Sequence, residues 1–524
     1  MHGIKLLKNP IITGTILVYI ILSIFSLIYF PSMHSDEGWL ASLSRSIYFE
    51  KNIAAGEDFL HEVKSNPHAI KILFHLIQIP FIYISYSLVS VRVLSLIAAG
   101  ITLWFLFKTA LILFKKQIFA VMFIILIALD IEFIYISHFA RQEIIILLIF
   151  SICLYLFFKP IKKWKIKNDI LIGSILGISI GIHPNIFIII FSFIILYLFY
   201  SIINHKKNRS EYPSFSNLVI LIITLTLFGL TYIGISFLMN PDFLSKYINF
   251  GSSVGVTKPF IIKVLKLPRF FKKMFFRIEG TYYLPDIRPQ MLLFALSFLI
   301  LIPVSIFYKN KRIIIFSGQS LFLGILSGIL IIGKYSPPSI IFIFIPGYFL
   351  FFILMTTLIK STKGLLSICS ILIFSTSVFS LFQVLPFINV NYNSYIKKIK
   401  TYIPENSKTL ANLNTIFAFS YDELYSYRDL TVLNAEFGFS DYIEKYKIRY
   451  IIYSEELKII FDERPVWNTM YGNIYPWYPD MMGFIKTSCI EITNWNEPVF
   501  GMRITSYQGK KNGGIRIFKI INNR

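Results

Sequence analysis

A chain of 524 residues that is 55% hydrophobic and only 15% charged, with a mean hydropathy of +0.66, is too apolar for a water-soluble protein of this size and reads as a polytopic membrane protein. The formal net charge of +23 would suggest nucleic acid binding in a soluble chain; here the basic residues cluster between apolar runs, so the charge reads as topology and no nucleic acid partner is expected. Of the three cysteines, Cys153 and Cys369 fall in apolar runs and Cys489 in a polar tail, a pattern that implies neither a disulfide framework nor a cysteine metal site.

A basic start leads into an apolar run at 11–30, long enough to span, with no small-residue cleavage site after it; it reads as a retained helix. Directly after it, "SMHSDEGW" (32–39) sets two adjacent carboxylates, Asp36 and Glu37, beside hydrocarbon, an expensive place for charge unless something uses it. His61 and His68 follow and read as surface residues. The run 69–88, with His75, Gln78 and Pro80, is ambiguous. Further runs lie at 91–114, 117–136, 143–158, 168–182, 184–203, 216–238, 290–308, 312–332, 338–358 and 364–387. Each is close to the roughly 17–25 residues a crossing helix needs, with 143–158 and 168–182 on the short side.

Charge decides the ambiguous run. If 69–88 does not cross, Lys115–Lys116, "KPIKKWKIKN" (159–168), "NHKKNR" (204–209), "KNKR" (309–312) and "KSTK" (360–363) all share the side of the N-terminus. The alternate connections "SHFARQE" (137–143), "HPN" (183–185) and "GKYSPPS" (333–339) then carry far fewer cations; if 69–88 crosses, the pattern inverts. The expectation is about eleven spans, a cytoplasmic N-terminus, the C-terminus outside, and interfacial helices over 56–88 on the outer face. The long connection 239–289 contains "KPFIIKVLKLPRFFKKMFFRIEG", whose phased apolar and basic positions predict a helix lying on the membrane surface. Its basic rim serves either lipid headgroups or an anionic lipid-linked substrate. From 391 the composition changes: "IRYIIYS" (448–454) reads as a buried strand after an amphipathic helix. Residues 391–524 are expected to form a small extracytoplasmic α/β domain beside a membrane domain over 1–390.

In this topology the ionisable groups gather at one depth. Asp36 and Glu37 follow the first span; His138, Arg141 and Glu143 lie in the connection 137–143; His183 caps a later span; Lys334 and Tyr335 open the connection 333–339. Asp130 and Glu132 sit in the outer half of the run 117–136, two apart and so not on one helix face. Each has a plain reading: a solvated helix end for Asp36–Glu37, a loop-fixing ion pair for Arg141 and Glu143, a turn at His183–Pro184, a snorkelling Lys334. Their convergence from separate regions points instead to an outward-facing cavity. No Walker loop, GxGxxG after a strand or HExxH is present, which excludes a nucleotide-hydrolysing or dinucleotide enzyme and leaves the membrane or the outside to supply any donor.

The order of apolar span, "SDEGW", interfacial helices, "VRVLSLIAAG" (91–100), "KK", span, "SHFARQE" and span resembles the GT-C glycosyltransferases, nearest the protein O-mannosyltransferases and the bacterial lipid A aminoarabinose transferases. Bacterial relatives read H-x-A-R-P-E in the second outer loop; here "HFARQE" has Gln142 where proline is usual. "KYSPPSIIFIFIPGYFLFF" (334–352) is similar to the later Lys/Tyr-then-Pro segment of that group. The resemblance covers roughly 10–390 and leaves the C-terminal domain and Asp130 unassigned. It implies a sugar donor on a polyprenyl phosphate entering from the bilayer, a lipid, glycan or protein acceptor from outside, and inversion by single displacement. Asp36 would then be the base and Glu37 its neighbour at the acceptor site. Arg141 and Lys334 would hold the phosphate, and His138, Glu143, His183 and Tyr335 would support them. Some relatives use a divalent cation, which this sequence does not force. Three other functions compete with transfer: a transporter or flippase for lipid-linked saccharides, for which Asp130 is the only hint; a surface polysaccharide polymerase or ligase; and a non-catalytic receptor or assembly factor acting through the C-terminal domain.

Overall fold

The structure, a computed structural model, describes residues 10–521 except 64, 65, 208, 254, 279, 435, 464–470, 506, 510 and 512. The basic start at 1–9 therefore lies outside the described residues. Every long apolar run is helical, as it must be in hydrocarbon, where backbone N–H and C=O groups find partners only within the chain. The helices are α1 (Pro10–Ser26), α2 (Ser35–Glu50), α3 (Ile72–Ile84), α4 (Leu88–Phe114), α5 (Gln117–Ala128), α6 (Ile131–Ser137), α7 (Glu143–Phe158), α8 (Ile166–Ile178), α9 (Ile186–Lys207) and α10 (Phe215–Met239). The long connection carries α11 (Phe243–Ser253) and α12 (Phe260–Phe276), and α13 (Arg288–Phe307), α14 (Arg312–Ile332), α15 (Ile341–Leu358) and α16 (Thr362–Val384) complete the bundle. Among the described residues, seven helices are long and apolar enough to cross a membrane, or eight if the bent pair α5–α6 is one span.

Three local outcomes position the site. First, an unexpected helix, α2, begins at Ser35; within 56–88, where the sequence suggests interfacial helices, α3 is helical, and the described residues of 51–71 contain no α-helix. The reason α2 starts there is a capping box. The His34 ring accepts the Asp36 N–H, and the Glu37 carboxylate accepts the His34 N–H at 3.1 Å, so both acids sit in the first turn, where the helix dipole favours them. Second, the run read as one span over 117–136 breaks between α5 and α6 with a 67° bend. Asp130 caps α6 by accepting the Glu132 N–H at 2.8 Å, and also accepts Gln290 Nε2 at 2.9 Å and the Tyr348 hydroxyl at 2.5 Å. Third, α12 keeps Phe260, Ile261 and Leu265 exposed and buries Phe270 and Met274, as a surface-lying helix should. It rests on the connection between α14 and α15: Lys263 Nζ donates to the Ile331 carbonyl at 2.6 Å, and the Tyr335 hydroxyl to the Lys263 carbonyl at 2.7 Å.

After α17 (Tyr392–Tyr402), strands β1 (Thr409–Ala411), β2 (Leu424–Ser426), β3 (Tyr450–Ser454), β4 (Cys489–Asn496) and β5 (Gly514–Ile520) form one sheet in the order β2-β1-β3-β5-β4. β1 runs parallel to β2 and β3, while β5 is antiparallel to β3 and β4. β3 is buried throughout and follows the amphipathic α18 (Phe439–Tyr446), as its run of β-branched and aromatic residues requires. Alternate side chains serve two cores. Tyr425, Ile451, Tyr453 and Phe518 pack with α18, α19 (Glu456–Glu463) and α20 (Tyr478–Ser488). Ala411, Ile452 and Ile517 instead share a core with Met33, Ala41 and Val91 of the membrane region. Arg45 Nη1 donates to the Phe419 carbonyl at 2.9 Å across the same seam, so the sheet is seated on α2.

Candidate active site

The site forms where the start of α2 meets the connection between α6 and α7. Arg141 Nη1 lies 3.0 Å from Asp36 Oδ2, and its Nη2 lies 3.3 Å from Glu143 Oε1. Tyr282, from the long connection after α12, donates to Asp36 Oδ2 at 2.6 Å and accepts from Arg141 at 2.8 Å. Its ring stacks on His34 with centroids 4.4 Å apart. Asp36 is 36% exposed and Arg141 only 9%. No hydrogen bond among the described residues engages Asp36 Oδ1, so one carboxylate oxygen is held and the other is available.

The electrostatics favour a standing charge on this carboxylate. Burial would raise the Asp36 carboxyl, but His34, the Arg141 guanidinium and the Tyr282 hydroxyl outweigh it and hold it well below the usual carboxylate range. Burial pushes the His34 imidazole down to about 4, with Asp36 opposing and Arg503 and Arg141 adding, so it is neutral at pH 7. Its Nδ1 accepts the Asp36 N–H, which puts its proton on Nε2. That Nε2, Arg503 Nε and Asn414 Oδ1 are buried without partners, and all three residues line one small pocket with Tyr135, Tyr283 and Thr505. Arg503 reaches in from the C-terminal domain and donates to Ser35 Oγ at 2.6 Å.

Two lysines act electrostatically on the same groups. Lys334 is half-buried, and burial together with Arg141 lowers its ammonium against the opposing Asp36 and Glu143. Lys71, at the start of α3, is pushed down to about 8, first by burial and then by Lys334 and Arg141. His183 is driven well below its ordinary value by burial and then by Lys71, Lys334 and Arg141. The charges of Lys71, Arg141 and Lys334 therefore act on one another and, at His183, on one ring. Sequence reasoning passes over Lys71, Tyr282, His34 and Arg503. Lys71 opens an ambiguous apolar run, and the other three acquire a role only through tertiary contacts.

The remaining predicted residues sit around this group, not in it. Glu37 does not face the acceptor side as its position beside Asp36 suggested. It is fully buried, paired through two 2.8 Å contacts to Arg92 Nε and Nη2, and accepts the Ala140 N–H at 2.9 Å. Arg92 also donates to the Leu27 carbonyl at 2.6 Å, so the pair ties α1, α2, α4 and the Arg141 connection together. His138 turns toward α1, with Nε2 2.9 Å from Ser26 Oγ and Nδ1 2.7 Å from the Ile134 carbonyl. Glu143 Oε1 meets Arg141 and, at 3.5 Å, Asn185 Nδ2, which also donates to Ser339. Tyr335 stacks on Phe270 and holds α12. Asp130 is spent as a helix cap, and Glu132 is fully buried with neither oxygen bonded. The stretch 177–181 spells G-x-S-x-G, the letters of a hydrolase nucleophile turn. Here Ser179 is buried at the end of α8 and donates to the Ile175 carbonyl at 2.6 Å, with no strand-to-helix turn around it.

Asp36 and Glu143 both face the Arg141 guanidinium, and no group of three or more His, Cys, Asp or Glu side chains among the described residues could hold a metal ion.

Residues 71–228 match the family model of the dolichyl-phosphate-mannose-protein mannosyltransferases, a span that includes Lys71, Arg141 and His183 but neither Asp36 nor Lys334. No curated protein sequence matches the chain. ArnT from Cupriavidus metallidurans, solved bound to undecaprenyl phosphate, superposes with a TM-score of 0.53 at 10% identity, covering 98% of each chain. The apo state of the same protein gives a TM-score of 0.52 at 9% identity, covering 97% of this chain and 98% of that one. The Archaeoglobus fulgidus oligosaccharyltransferase tethered to an acceptor peptide gives 0.51 at 12% identity, covering 88% of this chain and 71% of that one. The chain thus has the membrane fold of ArnT and of the archaeal oligosaccharyltransferase, the GT-C fold, and resembles the mannosyltransferase and ArnT branch of that superfamily.

Proposed function

We propose that the chain is an inverting membrane glycosyltransferase that moves a sugar from a polyprenyl-phosphate donor to an acceptor hydroxyl or phosphate. The observation that carries this reading is the partly exposed Asp36 carboxylate 3.0 Å from Arg141, with Lys71 and Lys334 acting on the same charges. It is supported by the fold shared with an ArnT that binds undecaprenyl phosphate. Arg141, Lys71 and Lys334 receive the phosphate of the donor; the guanidinium fork suits two of its oxygens. The acceptor hydroxyl approaches on the exposed side of Asp36, next to His34, Arg503 and Asn414, whose unpartnered polar atoms line a pocket of about one water's volume. That hydroxyl donates to the unengaged Asp36 Oδ1. In the displacement the acceptor oxygen bonds to the anomeric carbon and the bond from that carbon to the phosphate oxygen breaks. The electron pair leaves on the phosphate and the hydroxyl proton passes to Asp36. Because Asp36 is a weak base, proton transfer comes late, when the acceptor oxygen is already acidified by bonding to carbon. The cations carry the phosphate charge without a metal.

The reaction is assigned to the outer face of the cytoplasmic membrane, with the N-terminus inside. The short basic connections at 115–116, 159–168, 309–312 and 360–363 join helix ends away from Asp36, which supports that orientation; the basic α12 on the Asp36 side lies along the surface in a long connection, where the rule is weak. The transporter alternative loses its one pointer, since Asp130 is a satisfied helix cap. The test is Asp36→Asn. Transfer should fall by about two to four orders of magnitude, with insertion unchanged. It is read by mass spectrometry of surface glycans in a deletion strain carrying wild type or variant. Near-normal glycans with Asp36→Asn would sink the assignment.

A further inference from the structure

At the end of the bundle opposite Asp36 lies a second cavity that the transfer chemistry does not use. Its volume is about 350 Å3, in the size range of a small-ligand site. α4 has 27 residues, so it spans about 40 Å, with Arg92 holding Glu37 in its first turns and Phe114 at its last. The cavity therefore sits a bilayer thickness from the proposed active site.

Four lysines from three separate connections line it: Lys115 and Lys116 between α4 and α5, Lys311 before α14, and Lys360 between α15 and α16. No acidic side chain is among its described lining residues. Lys116 Nζ donates to Thr362 Oγ1 at 3.1 Å, which closes the rim between α5 and α16. Beneath the lysines the wall turns apolar at Phe119, Ile314 and Ile353. Thr356 and Thr357 also line it. Their hydroxyl protons go to the carbonyls of Phe352 and Ile353, so their oxygens face the space as acceptors only.

A snorkelling lysine is a single side chain reaching from a helix end to the headgroup layer. Here cations from three connections converge over one concave volume whose floor is hydrocarbon-like. A free phosphate would use the rim and leave the floor empty. A phospholipid uses both: its phosphate meets the ammonium groups, its first methylenes meet the isoleucines, and its acyl chains continue along the helices. We propose that this cavity binds the headgroup of an anionic phospholipid, which ties the starts of α5, α14 and α16 together at this end of the bundle.

The experiment uses the full-length protein in nanodiscs of phosphatidylcholine doped with phosphatidylglycerol. Lipid retained through mild detergent extraction is read by native mass spectrometry. Wild type should retain phosphatidylglycerol over phosphatidylcholine. The combined Lys115→Gln, Lys116→Gln, Lys311→Gln, Lys360→Gln variant should retain at least about tenfold less, since every lysine near an anionic headgroup adds to its binding. Thr356→Trp fills the cavity while leaving all four lysines, and should lose the lipid as well; it keeps the test decisive if the quadruple variant fails to insert. A control variant, Lys162→Gln, Lys163→Gln, Lys165→Gln, Lys167→Gln, removes exposed charge from the same end outside the cavity and should retain the lipid. Equal loss in the control, retention of phosphatidylcholine equal to phosphatidylglycerol, or displacement of the lipid by millimolar inorganic phosphate would overturn the proposal.

Discussion

Lys71 holds a backbone φ of 105°, a conformation that a side-chain-bearing residue adopts only when its surroundings enforce it. The consequence is a cation set at the head of α3 among Arg141 and Lys334, with its ammonium pushed down to about 8 by burial and by those two neighbours. Glu57 and Asp36 oppose the shift. Below about pH 8 Lys71 is charged and would add to the proposed phosphate binding, and above it the charge is lost. The donor kcat/KM should therefore fall as pH rises through about 8, a limb that reports the free enzyme. Lys71→Arg keeps the charge and should remove that limb; an unchanged profile in Lys71→Arg would assign the limb elsewhere. Asp36 contributes no acid limb above pH 5, because its carboxyl is held well below the usual range. Its neighbour behaves differently. Glu37→Gln leaves the fully buried Arg92 without its counter-charge, and breaking such a pair costs about 3–5 kcal/mol. Thermal unfolding in detergent should show the loss, and a smaller one for Asp36→Asn, which leaves Glu143 against Arg141. Two adjacent carboxylates thus fail in different ways, one mainly by folding and the other mainly by chemistry.

Among the elements, α9 and α14 approach to backbone contact. Gly324 and Gly328 lie one turn apart, and a Cβ on either would come within 2.5 Å of Ser192 Cα or 2.7 Å of Ile188 Cα. Small residues four apart let membrane helices close to backbone contact, where dispersion and not hydrophobic exclusion holds them. α14 leads into Lys334 and α9 follows His183, so this seam sets the spacing of two site residues. Gly328→Val should cost roughly 1–3 kcal/mol from overpacking and lower the melting temperature. It should also lower kcat through displaced site residues, even though position 328 touches none of the reacting groups. A variant with wild-type stability and activity would show that the seam opens without strain.

At the scale of the whole molecule the charge is divided. The basic connections 115–116, 159–168, 309–312 and 360–363 lie at one end, and the Asp36 site with the C-terminal sheet lies at the other. Under the positive-inside rule this predicts an accessibility pattern. In a Cys489→Ser background, Lys486→Cys on α20 should react with a membrane-impermeant maleimide on intact cells. Lys163→Cys should react only after permeabilisation. Both positions are exposed, so silence reflects sidedness and not burial. The reverse pattern would place the proposed transfer site in the cytoplasm. The C-terminal domain is no appendage: its sheet shares a core with Met33, Ala41 and Val91, and Arg503 comes from it to the pocket lined by His34 and Asn414.

What was legible in the sequence was whatever depends on local composition. Long apolar runs become helices because hydrocarbon offers the backbone no other partner, and the amphipathic α12 and the buried β3 follow from residue periodicity in the same way. The motif order around Asp36 and "HFARQE" carried the likeness to the GT-C enzymes, and Arg141 does lie against Asp36. What the sequence could not resolve depends on distant partners. Asp36 and Glu37 are chemically alike neighbours, yet a helical turn sends one to an open site and the other to Arg92, 55 residues away in the chain. Asp130 looks like an intramembrane charge until Gln290 and Tyr348 arrive from α13 and α15 to satisfy it as a cap. Lys71, Tyr282 and Arg503 sit in unremarkable stretches and acquire their roles only because packing brings three connections and a second domain to one carboxylate. Composition acts within a helix length; charge pairing acts through space, and the fold decides which charges meet.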